Sequence, residues 1–194
     1  MTEAAQRTPY DADALVDVAV RVFLERGYDG TSMGEIARAA GLGKSSIYHH
    51  VTGKEDLLER GVRRALDALF AALDEPACRQ GRAVDRLGAV IARTVEIMTA
   101  QPAEVALLLR VRGNTPVERR VLDRRREFDR IVTSIVVEAR EAGELRADLD
   151  PALVTRLVFG MSNSVVEWYR ADGPLRPVEI VAAIRAVVFE GLGV

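Results

Sequence analysis

Four prolines and three glycines cut this chain into helix-length pieces, and that punctuation limits its fold more than any other feature. Pro102, Pro116, Pro151 and Pro177 stand at or just before the first residue of a segment with helical apolar spacing, where a missing N–H costs nothing. Gly113, Gly143 and Gly173 stand just past the ends of such segments. Apolar residues recur at i, i+3, i+4 spacing, as in Leu15, Val18, Ala19, Val22 and Phe23. Nowhere does a long stretch alternate with period two. The spacing predicts an all-α protein of about nine helices. They cover residues 12–26, two short pieces within 32–53, then 54–73, 83–100, 103–112, 116–142, 151–171 and 177–192. Residues 74–82 read as a connector, and residues 1–13 as a polar, frayed tail.

The stretch from residue 31 to 54 carries the clearest functional signal. Ser32 followed three residues later by Glu35 is a capping box, which starts a helix. Ile36, Ala37 and Ala40 give that helix an apolar face, and Gly41 supplies the left-handed turn that a Cβ would resist. Leu42 and Ile47 are spaced to fold a second helix back onto the first, with small Ala37 at the close approach. The pattern is a helix-turn-helix. Its second helix would expose Lys44, Ser45, Ser46, Tyr48 and His49, a surface better suited to phosphates and base edges than to a protein core. Ser45 and Ser46, at its start, are placed for base edges. Tyr48 has two readings, a phosphate contact through its hydroxyl or an aromatic anchor packed on the next helix.

Charge looks unfavourable for nucleic acid until it is resolved locally. The whole chain carries 27 Lys and Arg against 29 Asp and Glu, a net charge of −2. Within residues 31–54, however, Arg38, Lys44 and Lys54 face Glu35 alone, and His49 and His50 lie beside them. A weak global field implies modest non-specific affinity and does not argue against a specific site.

These residues resemble the DNA-binding signature of the TetR/AcrR family of one-component transcriptional regulators. The features are a Gly-Tyr-x-x-Thr entry (Gly27, Tyr28, Thr31), an Ile-Ala pair, a Gly turn and a short Lys-x-x-x-Tyr-x-His recognition helix. A Lys-Glu-x-Leu start to the following helix completes them (Lys54, Glu55, Leu57). The resemblance spans roughly residues 12–58 and implies DNA contacts by Thr31, Lys44, Ser45, Ser46, Tyr48, His49, His50 and Lys54. For Lys54 it implies a phosphate contact, at a helix start where a positive charge opposes the helix dipole. One departure is Gly43, where the family usually has Ser or Thr as N-cap. Gly is only a few tenths of a kcal/mol worse as a cap, so the recognition helix is expected to survive.

Other chemistries find little support. Gly43-Lys44-Ser45 has the ending of a P-loop, but position 38 is Arg where that motif needs glycine, and no strand precedes it. His49 and His50 are adjacent, so on a helix they point about 100° apart, and no Cys or Glu at i+4 completes a metal set. With two histidines and one cysteine, Cys78, in the whole chain, no nucleophile has a visible general-base partner. No catalytic residue, metal or cofactor is expected. A lone cysteine also rules out an intrachain disulfide and fits the reducing cytoplasm. The longest uncharged apolar run, 157–166, is far short of the ~18 residues a membrane span needs.

The remainder, residues 54–194, reads as a ligand-binding and dimerisation domain behind a DNA-binding domain over residues 1–53. Arg110, Arg112, Arg119, Arg120, Arg124, Arg125 and Arg126 fall close together, against Glu118 and Asp123. They form either a solvated helix face with i,i+4 pairs or the mouth of an anion site. Asn163 and Ser164 interrupt an apolar helix and need either core partners or a ligand. Trp168-Tyr169-Arg170 and Gly173-Pro174-Leu175 resemble the junction between the last two helices in the TetR branch that senses acyl-CoA thioesters. That resemblance implies an acyl-CoA or aryl-CoA effector, with Met98, Arg110, Arg124, Phe159, Asn163 and Trp168 as candidate ligand contacts. The last two helices, with Ala182, Ala183, Ala186, Ile180, Ile184, Val187 and Val188, are expected to pair with a second copy. The whole reads as a homodimeric repressor on an inverted-repeat operator in double-stranded DNA, released by a small molecule. The rival reading is a small-molecule-binding helical protein with a vestigial helix-turn-helix.

Overall fold

The computed structural model describes residues 12–192, so the expectation of a frayed tail over residues 1–13 lies almost wholly outside the described residues. The helices are α1 (Ala12–Arg26), α2 (Met33–Ala39), α3 (Lys54–Leu73), α4 (Pro76–Arg79), α5 (Ala83–Ala100), α6 (Pro102–Arg110), α7 (Pro116–Glu141), α8 (Pro151–Trp168) and α9 (Pro177–Leu192), with one 3₁₀ turn over Ser46–His49. No strand occurs among the described residues. The all-α expectation holds.

The number of helices agrees with the expected one only because two differences cancel. The connector contains the extra single-turn α4, opened by Pro76. The recognition helix, in contrast, shortens to the 3₁₀ turn. Two ends also retreat. α6 stops at Arg110 because Val111 is extended and the Arg112 N–H is captured by the Glu118 carboxylate at 3.2 Å. α8 stops at Trp168, with Tyr169 extended.

Local capping explains the starts that do match. Ser32 Oγ accepts the Glu35 N–H and Glu35 returns the bond to the Ser32 N–H at 2.8 Å, the expected capping box. A second box, Thr115 with Glu118, starts α7. It was legible as Thr-Pro-Val-Glu at the head of a proline-started segment, and was missed. Gly41, with φ 66°, closes α2: the Leu42 N–H reaches Ala37 O at 2.8 Å and the Gly41 N–H reaches Arg38 O at 3.1 Å. This is a Schellman closure, and it turns the chain sharply toward Ile47.

One continuous apolar cluster runs from Leu15 on α1 to Val188 on α9. α3 lies at its centre on one side, packed on α1, α6 and α7. α5 does the same on the other, packed on α4, α7, α8 and α9. Fully buried side chains such as Phe23, Ile36, Leu57, Leu58, Leu87 and Ile91 anchor it, each contributing ~1.5–3 kcal/mol relative to exposure. Phe70, Phe128 and Phe159 form an edge-to-face chain, with centroids 5.9 and 5.6 Å apart, that ties α3, α7 and α8 together. Gly61 on α3 allows a close helix approach, since a Cβ there would stand 2.7 Å from Val20 Cγ2 on α1.

The face expected to meet a second copy needs one correction. Ile180, Ile184 and Val188 are at most 6 % exposed and belong to the chain's own core, because α9 packs mainly on α5. What α9 leaves outward is Val178, Ala182, Ala183, Ala186 and Val187. α8 adds Leu153, Leu157, Gly160, Ser164 and Trp168, all exposed and three or four residues apart, hence on one face. Among the described residues no helix is long and apolar enough to cross a membrane.

Candidate nucleic-acid interface

The recognition segment is held by one side chain. Ile47 is fully buried, while Lys44, Ser45, Tyr48 and His49 are exposed and Ser46 and His50 half-buried. Backbone bonds surround that anchor: the His50 N–H reaches Ile47 O at 3.1 Å, the i to i−3 pairing of a 3₁₀ turn, flanked by single i to i−4 bonds of 3.3 Å from the Ile47 N–H to Gly43 O and the Val51 N–H to Ile47 O. The segment therefore makes a tight helical turn that never lengthens into an α-helix. Its sequence explains why. Gly43 brings no capping oxygen, Ser45 makes no side-chain cap bond, and Ser, Tyr and His are middling helix formers. The helix expected to survive its glycine cap is thus reduced to a 3₁₀ turn of four residues.

No acidic side chain lies among residues 44–50. Lys44 has no ion-pair partner among the described residues, and Tyr48 is 50 % exposed, leaving half of its side chain open to a partner. Of the flanking acids, Glu55, six residues past His49, is exposed, whereas Glu35 is already bound by Ser32 and by Arg26 at 2.7 Å. Those bonds, the Ser32 backbone first, hold the Glu35 carboxyl below the usual carboxylate range. What residues 44–49 themselves leave outward is cationic, hydroxylic and imidazole-bearing, a surface for phosphates and base edges.

Two expected DNA contacts are placed differently. Thr31 is 3 % exposed and its hydroxyl donates to Gly27 O at 2.7 Å, so it closes the α1–α2 turn. Lys54 is half-buried; its Nζ donates to Tyr28 O at 2.9 Å and lies 4.5 Å over the Tyr28 ring. That arrangement explains how α3 tolerates a cation in its first turn: the ammonium folds back onto a carbonyl and an aromatic face. Among the described residues no cluster of three or more His, Cys, Asp or Glu side chains is built to hold a metal ion.

The six candidate ligand contacts are not brought together. Met98 and Phe159 are buried in the core, Asn163 is half-buried and Trp168 is 48 % exposed, its indole N–H 3.4 Å from Ser164 Oγ. Ser164 is exposed and bonds Met161 O; the fully buried polar residue of α8 is Ser162, satisfied by Val158 O at 3.0 Å. Arg124 pairs with Asp67 at 2.9 Å and stacks on Phe70. Its neighbours are likewise engaged: Arg120 with Glu59, Arg126 with Asp123, and Arg125 with Leu108 O. Three of the seven arginines, Arg120, Arg124 and Arg126, are thus ion-paired, and Arg119, Arg125 and Arg110 bond backbone carbonyls. Arg110 differs in its reach. It reaches across to Leu24 O on α1 at 2.7 Å and lines a cavity of about 640 Å³ between α1, α3, α6 and the 111–115 loop. A second bond across this junction, Asn114 Nδ2 to Asp29 Oδ2 at 3.1 Å, has no signature in the sequence.

Known proteins share both halves of this arrangement. Residues 15–60 match bacterial regulatory proteins of the tetR family, and residues 80–192 match the tetracyclin repressor-like C-terminal domain. The crystal structure of SCO3833 from Streptomyces coelicolor A3, a TetR transcriptional regulator family member, superposes with TM-score 0.88 at 54 % identity, covering 99 % of this chain and 94 % of that one. The HTH-type transcriptional repressor KstR2 of Mycobacterium tuberculosis is 28 % identical over 92 % of this chain and 90 % of its own length. AibR, in a crystal structure with isovaleryl coenzyme A and operator DNA, aligns with TM-score 0.79 at 25 % identity, over 92 % of this chain and 97 % of AibR. With the family's N-terminal pattern on the capped turn and its C-terminal pattern on α5 to α9, this chain belongs to the tetR family of bacterial regulatory proteins and is a helix-turn-helix transcriptional regulator.

Proposed function

We propose that this regulator is a homodimeric repressor that grips an inverted-repeat operator and lets go when a CoA thioester binds. The observation that carries the DNA part is the turn at Ser46–His49: a single buried anchor, Ile47, leaves Lys44, Ser45, Tyr48 and His49 exposed, with Ser46 and His50 half-buried beside them. Lys44 and the Tyr48 hydroxyl meet phosphates, and Ser45 and Ser46 meet base edges. Residues 1–53 act as the reading head and residues 54–194 as the sensing and pairing body.

Pairing is supported by the exposed apolar stripe of α8 and α9. Leu157 is 61 % and Val187 62 % exposed, and a two-fold axis through that stripe would bury both copies isologously. Two heads related by that axis face two half-sites. A cytoplasmic setting follows from DNA as the partner.

The effector reading rests on the Trp168–Leu175 junction and on relatives: AibR binds isovaleryl coenzyme A, and KstR2 is named a ketosteroid regulator. Release is a population shift, in which the ligand binds the off-DNA form more tightly. The test is a panel of acyl-CoAs from acetyl to palmitoyl, with phenylacetyl-CoA and the matching free acids, added to the operator complex. Release at micromolar thioester is expected, with the free acids weaker or inert. No release and no thermal stabilisation by any thioester would refute the effector class while leaving DNA binding untouched.

A further inference from the structure

Some glycines of the reading head are required by the fold, and some are not. Gly27 and Gly41 hold left-handed φ angles of 80° and 66°, and a Cβ at Gly30 would stand 3.0 Å from Arg26 O. Gly34, Gly43 and Gly53 have no such reason. None holds a left-handed φ, and a Cβ would find ordinary room: 3.9 Å to Ser32 Oγ at position 34, 4.0 Å to Ser46 Oγ at position 43, and open space at position 53. Outside the head, among the described residues, only Gly160 and Gly191 are likewise free of a left-handed φ and of any close neighbour. Gly160 lies on the exposed α8 stripe and Gly191 in the last turn of α9. Glycines that the fold does not need therefore gather on the surfaces proposed to meet another macromolecule.

A glycine at such a position weakens the fold, because it surrenders more conformational freedom than alanine would. What it offers instead is a bare main chain that another backbone can approach closely. At the head, the approaching backbone is sugar and phosphate. Free cations separate the three positions. Gly43 is exposed and is followed by Lys44, also exposed and without an ion-pair partner among the described residues. Arg38 stands four residues after Gly34 on α2, hence on the same face. It is exposed, and its guanidinium has no acceptor among the described residues. Glu35, the acid of that helix, is tied to Arg26 instead. Gly53 precedes Lys54, whose ammonium is already held by Tyr28 O. An open glycine and a free cation thus coincide at 34 with 38 and at 43 with 44, and not at 53.

We propose that Gly34 and Gly43 are seats on which the sugar-phosphate backbone of the operator rests directly against the main chain, with Arg38 and Lys44 as their counter-charges. This rests on the DNA reading above and adds α2 to the contact surface. A methyl group at either seat would hold the phosphate away from its cation. The seats fix the register of the head on the duplex and carry no sequence information, which stays with Ser45 and Ser46. Substitution at a seat therefore separates two properties that usually fall together: the protein becomes no less stable while its grip on DNA weakens.

The experiment uses the full chain, a fluorescent duplex carrying the DNA upstream of its own gene, and a scrambled duplex of equal length, with anisotropy as the readout. Wild type, Gly34→Ala, Gly43→Ala and Arg38→Gln are each melted first and then titrated at several salt concentrations. Both Ala variants are expected to melt at or above the wild-type temperature, since a methyl group fits and restricts the unfolded chain. Each should bind the operator about tenfold more weakly, the scale of one lost charge-assisted contact. The scrambled duplex should lose by the same factor. Arg38→Gln should lower the salt slope of binding by about one. Unchanged or tighter operator binding by an Ala variant overturns that seat. A melting temperature below wild type overturns it too, because the glycine would then serve the fold. Loss confined to the operator duplex also overturns it, because the position would then read bases. An unchanged salt slope in Arg38→Gln removes Arg38 from the contact and overturns the seat at Gly34. A wild type that binds neither duplex overturns the DNA reading itself.

Discussion

Gly61 sits where α3 meets both α1 and α6, and adding one methyl group there is expected to loosen the head from the body. A Cβ at position 61 would stand 2.7 Å from Val20 Cγ2 and 3.5 Å from Leu107 Cδ2. Carbon atoms settle about 3.5–4.0 Å apart, so the Val20 contact is about 1 Å too short. Val20 is 2 % exposed and branched at Cβ, so it has little freedom to turn aside. Overpacking of this kind costs about 1–3 kcal/mol, and the better helix propensity of Ala returns about 0.5–1 kcal/mol. Gly61→Ala should therefore lose about 1–2 kcal/mol net, at roughly 2–4 °C of melting temperature per kcal/mol for a chain of this size. Val20→Ala alone deletes two methyl groups and costs about 2 kcal/mol. In the double variant the new methyl enters the space that Val20 vacates. The pair is then expected to be at least ~1 kcal/mol more stable than the two single losses would sum to. Urea unfolding of the four proteins at one protein concentration measures this. Additivity within about 0.3–0.5 kcal/mol, or an unchanged Gly61→Ala melting curve, would refute the claim that α1 is pressed onto α3 here.

Lys54→Met should lower stability by about 1–2 kcal/mol, because it removes a charged hydrogen bond to Tyr28 O and a cation–π contact. A thermal melt checks it, and lost operator affinity with an unchanged melt would instead make Lys54 a phosphate ligand. Leu157→Arg places a charge in the middle of the exposed α8 stripe and should yield a folded monomer in sedimentation; a dimer of unchanged affinity would remove α8 from the interface. Trp168, the chain's single tryptophan, lies on that stripe, so its emission should shift to the red on dilution of the wild type and not of Leu157→Arg.

What could be read in the sequence was whatever local chemistry decides. The Ser32–Glu35 box, the Gly41 turn and the proline starts act within a few residues, and each appears where its spacing places it. The recognition helix was overestimated because a propensity argument weighed its cap and not the few backbone bonds that a single anchor, Ile47, can sustain. Burial separated roles that residue type alone leaves mixed: Thr31 faces inward, and Ile180, Ile184 and Val188 serve the core and not the partner. The junction was invisible for a different reason. Arg110 bonds a carbonyl 86 residues away, and no periodicity encodes a partner that is backbone. The candidate effector contacts lie apart because an arginine cluster in sequence spreads around a helix and bonds carboxylates and carbonyls on several neighbours.

The most direct measurement is a footprint of the protein on the DNA upstream of its own gene, repeated with the Lys44→Ala, Tyr48→Phe double variant. A protected region with two-fold symmetry is expected, and about tenfold or greater loss of affinity in the double variant, on the scale of one or two lost backbone or base contacts. The variant should retain its helicity and its dimer, since Lys44 and Tyr48 are both exposed. No protected region, a footprint without symmetry, or equal protection by the double variant would contradict the assignment of this turn as the surface that reads DNA.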